Sequence, residues 1–219
     1  MIFTIPDILA PEELEYITSS LADAEFVDGK LTAGWHAKLV KNNQQLKHSE
    51  SQHELRELIK KALSRNALFQ MAVRPKIVHS ILFSRYDTGM SYGRHTDNAL
   101  MGSFSRSDVS FTIFLNPPST YEGGELVIEG ADDEKAYKLE AAEMLVYPST
   151  SLHRVAPVTK GTRFVVVGWV QSLVRDASER EILFELDTVR HAIFAKDGKT
   201  CEFDLIAKSV ANLLRKWAE

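Results

Sequence analysis

Val109-Ser110-Phe111-Thr112-Ile113-Phe114-Leu115 places Phe111, Ile113 and Leu115 two residues apart, the repeat of a strand with one buried face. The same texture recurs on both sides of it. Ile77 to Tyr86 is rich in β-branched and aromatic residues, and Gly124 to Glu129, Ala136 to Glu140, Met144 to Tyr147 and Arg163 to Gln171 supply further short strands. Another strand starts near His153 and includes Val155. Short strands separated by Gly, Pro and polar turns predict an all-β sandwich or barrel rather than alternating βα units.

Upstream and downstream the period changes to that of helices. A short strand over Ile2 to Ile5 precedes a helix starting near Pro11, where a missing N–H costs nothing, and Leu14, Ile17 and Leu21 form its stripe. Trp35 to Val40 reads as a strand, Asn42 to Gln45 as a polar loop or strand end, and Gln52 to Asn66 as a second helix. At the other end, Ile182, Leu186, Val189 and Ile193 make one helical stripe and Ile206, Val210, Leu213 and Trp217 another, with a turn at Lys196-Asp197-Gly198-Lys199. The expected fold is therefore predominantly β with flanking helices (α+β). It divides into an N-terminal part (1–70) packing on the core, a β core (71–174) and a C-terminal helical appendage (175–219). The appendage serves either as an intramolecular cover or as the contact surface of a homodimer.

The 219 residues suffice for one large domain. With 26 Lys and Arg against 30 Asp and Glu, the charge of −4 speaks against a broad nucleic-acid surface. No apolar stretch approaches the roughly 18 residues of a membrane span, and the first residues do not read as a signal peptide. A single cysteine, Cys201, forms no internal disulfide, and the cytoplasm is the expected compartment.

His95-Thr96-Asp97 is the first chemical signal. In an extended stretch His95 and Asp97 share a face, and imidazole with carboxylate suits a divalent transition metal. His153, at a strand entrance after several intervening strands, can return beside them. Two His and one carboxylate on one face of iron leave positions open for substrate and oxygen; zinc accepts the same ligands. Arg163 begins the apolar run Phe164-Val165-Val166-Val167, where an isolated charge is costly. Its planar fork suits a bound carboxylate or a structural salt bridge. Strand parity puts Arg163, Val165, Val167 and Trp169 on one face.

The run Arg85-Tyr86-Asp87-Thr88-Gly89-Met90-Ser91-Tyr92-Gly93-Arg94-His95-Thr96-Asp97 resembles the first metal-binding segment of Fe(II)/2-oxoglutarate dioxygenases related to prolyl hydroxylases. Gly123-Gly124-Glu125-Leu126, Leu152-His153-Arg154-Val155 and Gly161-Thr162-Arg163-Phe164 strengthen the likeness. More narrowly, Val40-Lys41-Asn42-Asn43-Gln44-Gln45 and Trp169-Val170-Gln171-Ser172-Leu173-Val174-Arg175-Asp176 resemble bacterial PKHD-type hydroxylases. The resemblance implies a double-stranded β-helix, or jelly-roll, core. It implies Fe(II) on His95, Asp97 and His153, and the distal carboxylate of 2-oxoglutarate on Arg163, with molecular oxygen as the second cosubstrate and L-ascorbate as a reductant of the iron. Tyr86, Thr162 and Trp169 are then candidates for the cosubstrate pocket. Asn42 and Gln44 are candidates for the substrate mouth, and Ser103 to Asp108 for a loop beside it. The implied reaction is hydroxylation of an unidentified peptide, protein or small molecule with release of succinate and carbon dioxide; peptidyl hydroxylation is among the substrate classes it allows. Two competing readings are a non-enzymatic jelly roll binding a metal or small ligand, and a zinc-dependent hydrolase.

Overall fold

The structure, a computed structural model, describes residues 1–102 and 104–219, with Ser51 described by its backbone alone. Two antiparallel sheets form the centre. The main sheet runs in the order Phe3–Ile5, Met144–Pro148, Val109–Phe114, Val158–Ser172, Pro75–Asp87, Gln44–Leu46 and Phe26–Asp28, and Tyr121–Gly123 pairs along the far end of Val158–Ser172. The smaller sheet runs Glu134–Tyr137, Leu126–Glu129, His153–Val155, Ser91–His95 and Lys41–Asn42. The fold is mixed α+β, a multi-stranded core with helices against it.

Side-chain alternation gives the main sheet two different faces. Ile81, Phe83, Phe111, Ile113, Met144, Val146, Val166 and Val170 turn outward onto three helices: α1 (Pro11–Ala22), α2 (Glu50–Arg65) and α3 (Ala67–Val73). Those helices contribute Ile17, Leu21, Leu55, Ile59, Leu63 and Phe69 to the same cluster. Each such fully buried side chain contributes about 1.5–3 kcal/mol relative to exposure. The opposite face carries Tyr86, Phe114, Leu145, Tyr147 and Val165, which meet Leu126, Ile128 and Val155 of the smaller sheet. This second, thinner cluster lies between the sheets, and its Tyr86, Leu126, Tyr147 and Val155 also line a cavity.

The sequence and the structure part at several elements, among them the strands Phe26–Asp28, Ser91–His95 and Tyr121–Gly123, which the hydrophobic period does not mark. Trp35 to Val40 is not a strand: it turns, with a 3-10 segment at Ala37–Leu39, and Trp35, Leu39 and Val40 are exposed. α3 is an additional helix; the Asn66 side chain accepts from the Phe69 N–H and restarts helical geometry just where α2 ends. In α4 (Ala177–Asp197) the expected stripe is rotated outward, leaving Ile182 and Val189 exposed and burying Arg180, Leu183 and Asp187. The polar pair goes inward because it is satisfied there. Arg180 donates to the carbonyls of Val174 and Arg175, both at 2.8 Å, and Asp187 forms ion pairs with Arg74 and Arg190. On α5 (Cys201–Trp217), Ile206, Val210, Leu213 and Trp217 do face inward and pack with Leu183, Leu186 and Val174. Of the loop read from Ser103 to Asp108, Ser103 lies outside the described residues; Ser105–Arg106 pairs with Leu100–Met101.

Candidate metal centre and its cavity

His95 ends the strand Ser91–His95, and His153 begins the neighbouring strand of the smaller sheet. The ladder sets these two residues directly opposite each other, with ring centroids 4.3 Å apart. Asp97 follows two residues after His95, and ligand-capable atoms of the three lie within 4.8 Å of one another. His153 Nε2 is 3.9 Å from Asp97 Oδ1.

The surroundings prepare each group for a metal. His95 Nδ1 lies 2.8 Å from the Gly93 carbonyl and His153 Nδ1 3.0 Å from the Ser151 carbonyl, so each Nδ1–H donates to backbone and each Nε2 keeps its lone pair. Burial, with His153 adjacent, pulls the His95 imidazolium down to about 4, which leaves the ring neutral at physiological pH. Ser110 Oγ donates to Asp97 Oδ2 at 2.6 Å and lies 2.7 Å from Ser149 Oγ, which fixes the carboxylate's rotation. Tyr92 stacks on His95 at 3.6 Å and Tyr147 meets His153 edge-on at 5.2 Å, limiting ring movement.

Arg163 lines the same cavity of about 790 Å³. It is only 1% exposed, and among the described residues no carboxylate pairs with it. Its Nε and Nη1 have no hydrogen-bond partner, although the Tyr121 hydroxyl lies beside the guanidinium. The cation rests over the rings of Tyr86 and Phe114 at 5.1 and 5.3 Å. Gly124 makes room for its stem: at φ +70° it adopts a backbone that side chains disfavour, and an added Cβ would come within 3.1 Å of Arg163 Cδ. Tyr147 feels the charges of both Asp97 and Arg163 and lines the same cavity. Burial raises the phenols of Tyr86, Tyr92 and Tyr147, which keeps them neutral donors.

A buried cation without a counter-charge is costly unless a ligand supplies one. Two imidazoles and a carboxylate converging with open positions suit Fe(II), and an arginine fork suits a carboxylate. The comparisons with known proteins agree. The 2OG-Fe(II) oxygenase superfamily profile matches residues 81–171, a span that contains all four groups. A PKHD-type hydroxylase of Gloeothece citriformis is 71% identical, with both chains covered in full. Another, from Picosynechococcus sp., is 66% identical over the same full coverage.

The chain belongs to the PKHD-type hydroxylases.

As such it is an Fe(II)- and 2-oxoglutarate-dependent hydroxylase, and His95, Asp97 and His153 form its 2-His-1-carboxylate triad. Its fold is shared with more distant solved structures. A Pseudomonas putida prolyl-4-hydroxylase superposes with a TM-score of 0.52 at 19% identity, covering 78% of this chain and 92% of that one. A Trichoplax adhaerens prolyl hydroxylase in complex with a hypoxia inducible factor peptide fragment gives 0.57 at 15%, covering 83% and 86%.

The remaining sequence candidates fall in different places around this PKHD-type site. Tyr86 lines the cavity beside Arg163. Thr162 does not line it; its hydroxyl donates to Asp87 Oδ1 at 2.8 Å, because it sits on the opposite parity from Arg163. Trp169 lines the cavity, but six residues along the strand from Arg163, roughly 20 Å away. Asn42 is exposed and donates to the Gly89 carbonyl at 3.3 Å, and Gln44 also stays out of the cavity. The residues turned inward from this segment are Lys41, Asn43 and Gln45, all buried. Burial lowers the Lys41 ammonium to about 8 while Asp97 and Asp28 oppose the shift. Ser110 also went unread, although its alternation with Phe111 marks it as facing the other way from the core.

Proposed function

We propose that Arg163 and Tyr86 hold the distal carboxylate of 2-oxoglutarate, whose keto-acid end reaches the iron at His95, Asp97 and His153. Loaded with iron, cosubstrate and molecular oxygen, such a centre supplies oxidation of a C–H bond to an alcohol, with release of succinate and carbon dioxide. The chain's own part is to orient the cosubstrate, hold both imidazoles with Nε2 free for the metal and shield it within a double-stranded β-helix. The observation that carries this reading is the buried, carboxylate-free guanidinium of Arg163 in the same cavity as the triad. In this reading residues 71–174 form the catalytic core, 1–70 cover it and 175–219 form the appendage. L-ascorbate, as a reductant, restores Fe(II) after unproductive oxidation.

A peptide segment is the substrate this surface fits best. The cavity is wider than 2-oxoglutarate needs, and exposed Trp35, Leu39, Leu100 and Phe104 lie on the segments that border it. The test is oxygen-dependent formation of succinate by the Fe(II)-loaded protein, together with anaerobic binding of 2-oxoglutarate. Undiminished binding in Arg163→Ala would reject the clamp. Product analysis after incubation with cell extract then distinguishes a peptide gaining one oxygen from a small molecule doing so.

A further inference from the structure

The segment Lys41 to Leu46 crosses from the smaller sheet to the main one, pairing first with Ser91 and Tyr92 and then with Ser84 and Arg85. Along this crossing Lys41, Asn43 and Gln45 point into the cavity. Two of them are secured by one hydroxyl: Thr32 Oγ1 accepts from Lys41 Nζ at 3.1 Å and donates to Gln45 Oε1 at 2.5 Å. Lys41 is 6% exposed and lies 5.1 Å above the Tyr92 ring, which in turn stacks on the metal ligand His95. Among the described residues no carboxylate forms an ion pair with Lys41.

Asn43 is buried as deeply, at 3% exposure. Its amide faces Tyr86, yet neither Oδ1 nor Nδ2 has a hydrogen-bond partner of ordinary geometry. The amide is accommodated by Gly29, where a Cβ would come within 1.9 Å of Asn43 Oδ1. A buried amide with both functions unpaired is costly unless a ligand satisfies it.

The charges around the cavity do not balance once the cosubstrate and metal are counted. Arg163 answers the distal carboxylate of 2-oxoglutarate. The dication answers Asp97 and the proximal carboxylate. Lys60 pairs with Glu57 at 2.7 Å. Two cations are left without an ion pair: Lys41, which feels the Asp28 carboxylate only from beyond ion-pair distance, and the half-buried Arg56, whose Nε donates to the Ile81 carbonyl at 2.9 Å. Among the described residues no carboxylate pairs with Arg56 either.

Resting on the hydroxylase reading above, we propose that the substrate is an oxyanion, held through a carboxylate or phosphate by Lys41 and Arg56, with Asn43 hydrogen-bonding the polar group beside it. The anion then docks beside Tyr92, whose ring stacks on the metal ligand His95, which limits the oxidised carbon to one near the charged group.

The test is calorimetric and needs no turnover. Protein loaded anaerobically with one equivalent each of Fe(II) and 2-oxoglutarate is titrated with N-acetylglycine, N-acetylglycinamide and inorganic phosphate. The expected result is at least tenfold tighter binding of one anion than of the neutral amide. Lys41→Gln should remove that preference, Lys41→Arg should retain most of it, and 2-oxoglutarate affinity should change less than threefold in both. Arg56→Gln, at a half-exposed position, should weaken the preference without endangering the fold. Tighter binding by N-acetylglycine alone identifies a carboxylate substrate, and by phosphate alone a phosphorylated one. Equal binding of acid and amide, no binding of any probe, or a preference that survives both Lys41→Gln and Arg56→Gln would overturn the proposal. Failure of the hydroxylase reading shows separately, as absence of oxygen-dependent succinate formation by the wild type.

Discussion

At the scale of single residues, the site is organised by what each group lacks. Arg163 lacks a counter-ion, so removing it should have opposite consequences with and without ligand. Arg163→Met should lower 2-oxoglutarate affinity by about thirtyfold or more, since truncating one partner of a buried charge pair typically costs about 2–5 kcal/mol. In the ligand-free protein the same change should be neutral or stabilise by on the order of 1 kcal/mol, because an uncompensated buried charge disappears. Calorimetry and urea unfolding check the two halves. Ser110→Ala should reduce iron affinity roughly 10- to 100-fold while leaving the fold intact, because the hydroxyl only orients Asp97; metal titration against a competing chelator measures it. His95, Asp97, His153 and Arg163 were legible because charged or imidazole groups at strand ends stand out against apolar neighbours. Lys41 and Asn43 were not: Asn42-Asn43-Gln44-Gln45 is a run of four amides with no period, and only the ladder reveals which alternate members turn inward.

Among the elements, hydrophobic period located the long strands and most of the helices; it missed short strands such as Phe26–Asp28, Ser91–His95 and Tyr121–Gly123, and it failed where polar residues were paired inside. α4 turns Arg180 and Asp187 inward because backbone carbonyls and Arg74 await them, and no amphipathic pattern encodes partners so distant in sequence. Trp35 to Val40 has strand-like composition, but its backbone is taken up in turns: the N–H groups of Lys38, Leu39 and Val40 donate to the carbonyls of Gly34, His36 and Ala37. The clamp between α1 and α2 offers a test at this scale. Arg65 binds Glu13 and, through that hydrogen bond, holds its carboxyl below the usual glutamate range. A depressed carboxyl contributes stability that is fully present above the unfolded-state value near 4.3 and is lost as pH falls through the folded one. Glu13→Gln should therefore cost at most about 1 kcal/mol at pH 7, given the half-exposed arginine, and nothing at pH 2. Urea midpoints at the two pH values supply the comparison.

Across the whole molecule, the main sheet has a thick core under α1, α2 and α3, whereas the smaller sheet shares only the thin cluster around Leu126, Ile128 and Val155. That imbalance was invisible in the sequence, where both sheets show similar strands; it arises from which face the helices cover. Ligand binding should matter disproportionately to the thin side. Fe(II) and 2-oxoglutarate at a hundred times their dissociation constants should each stabilise the fold by about 2.7 kcal/mol, and a chelator should reverse the metal's share. Scanning calorimetry of the loaded and stripped protein reads both. The direct pairing of His95 with His153 gives this a spatial signature. An ion shared by cross-strand neighbours works as a rivet through the weaker layer, so deuterium uptake by the amides of Ser91–His95 and His153–Val155 should slow on loading because their local opening is suppressed, while Phe83 and Phe111, in the main core, should slow only by the amount the whole fold is stabilised.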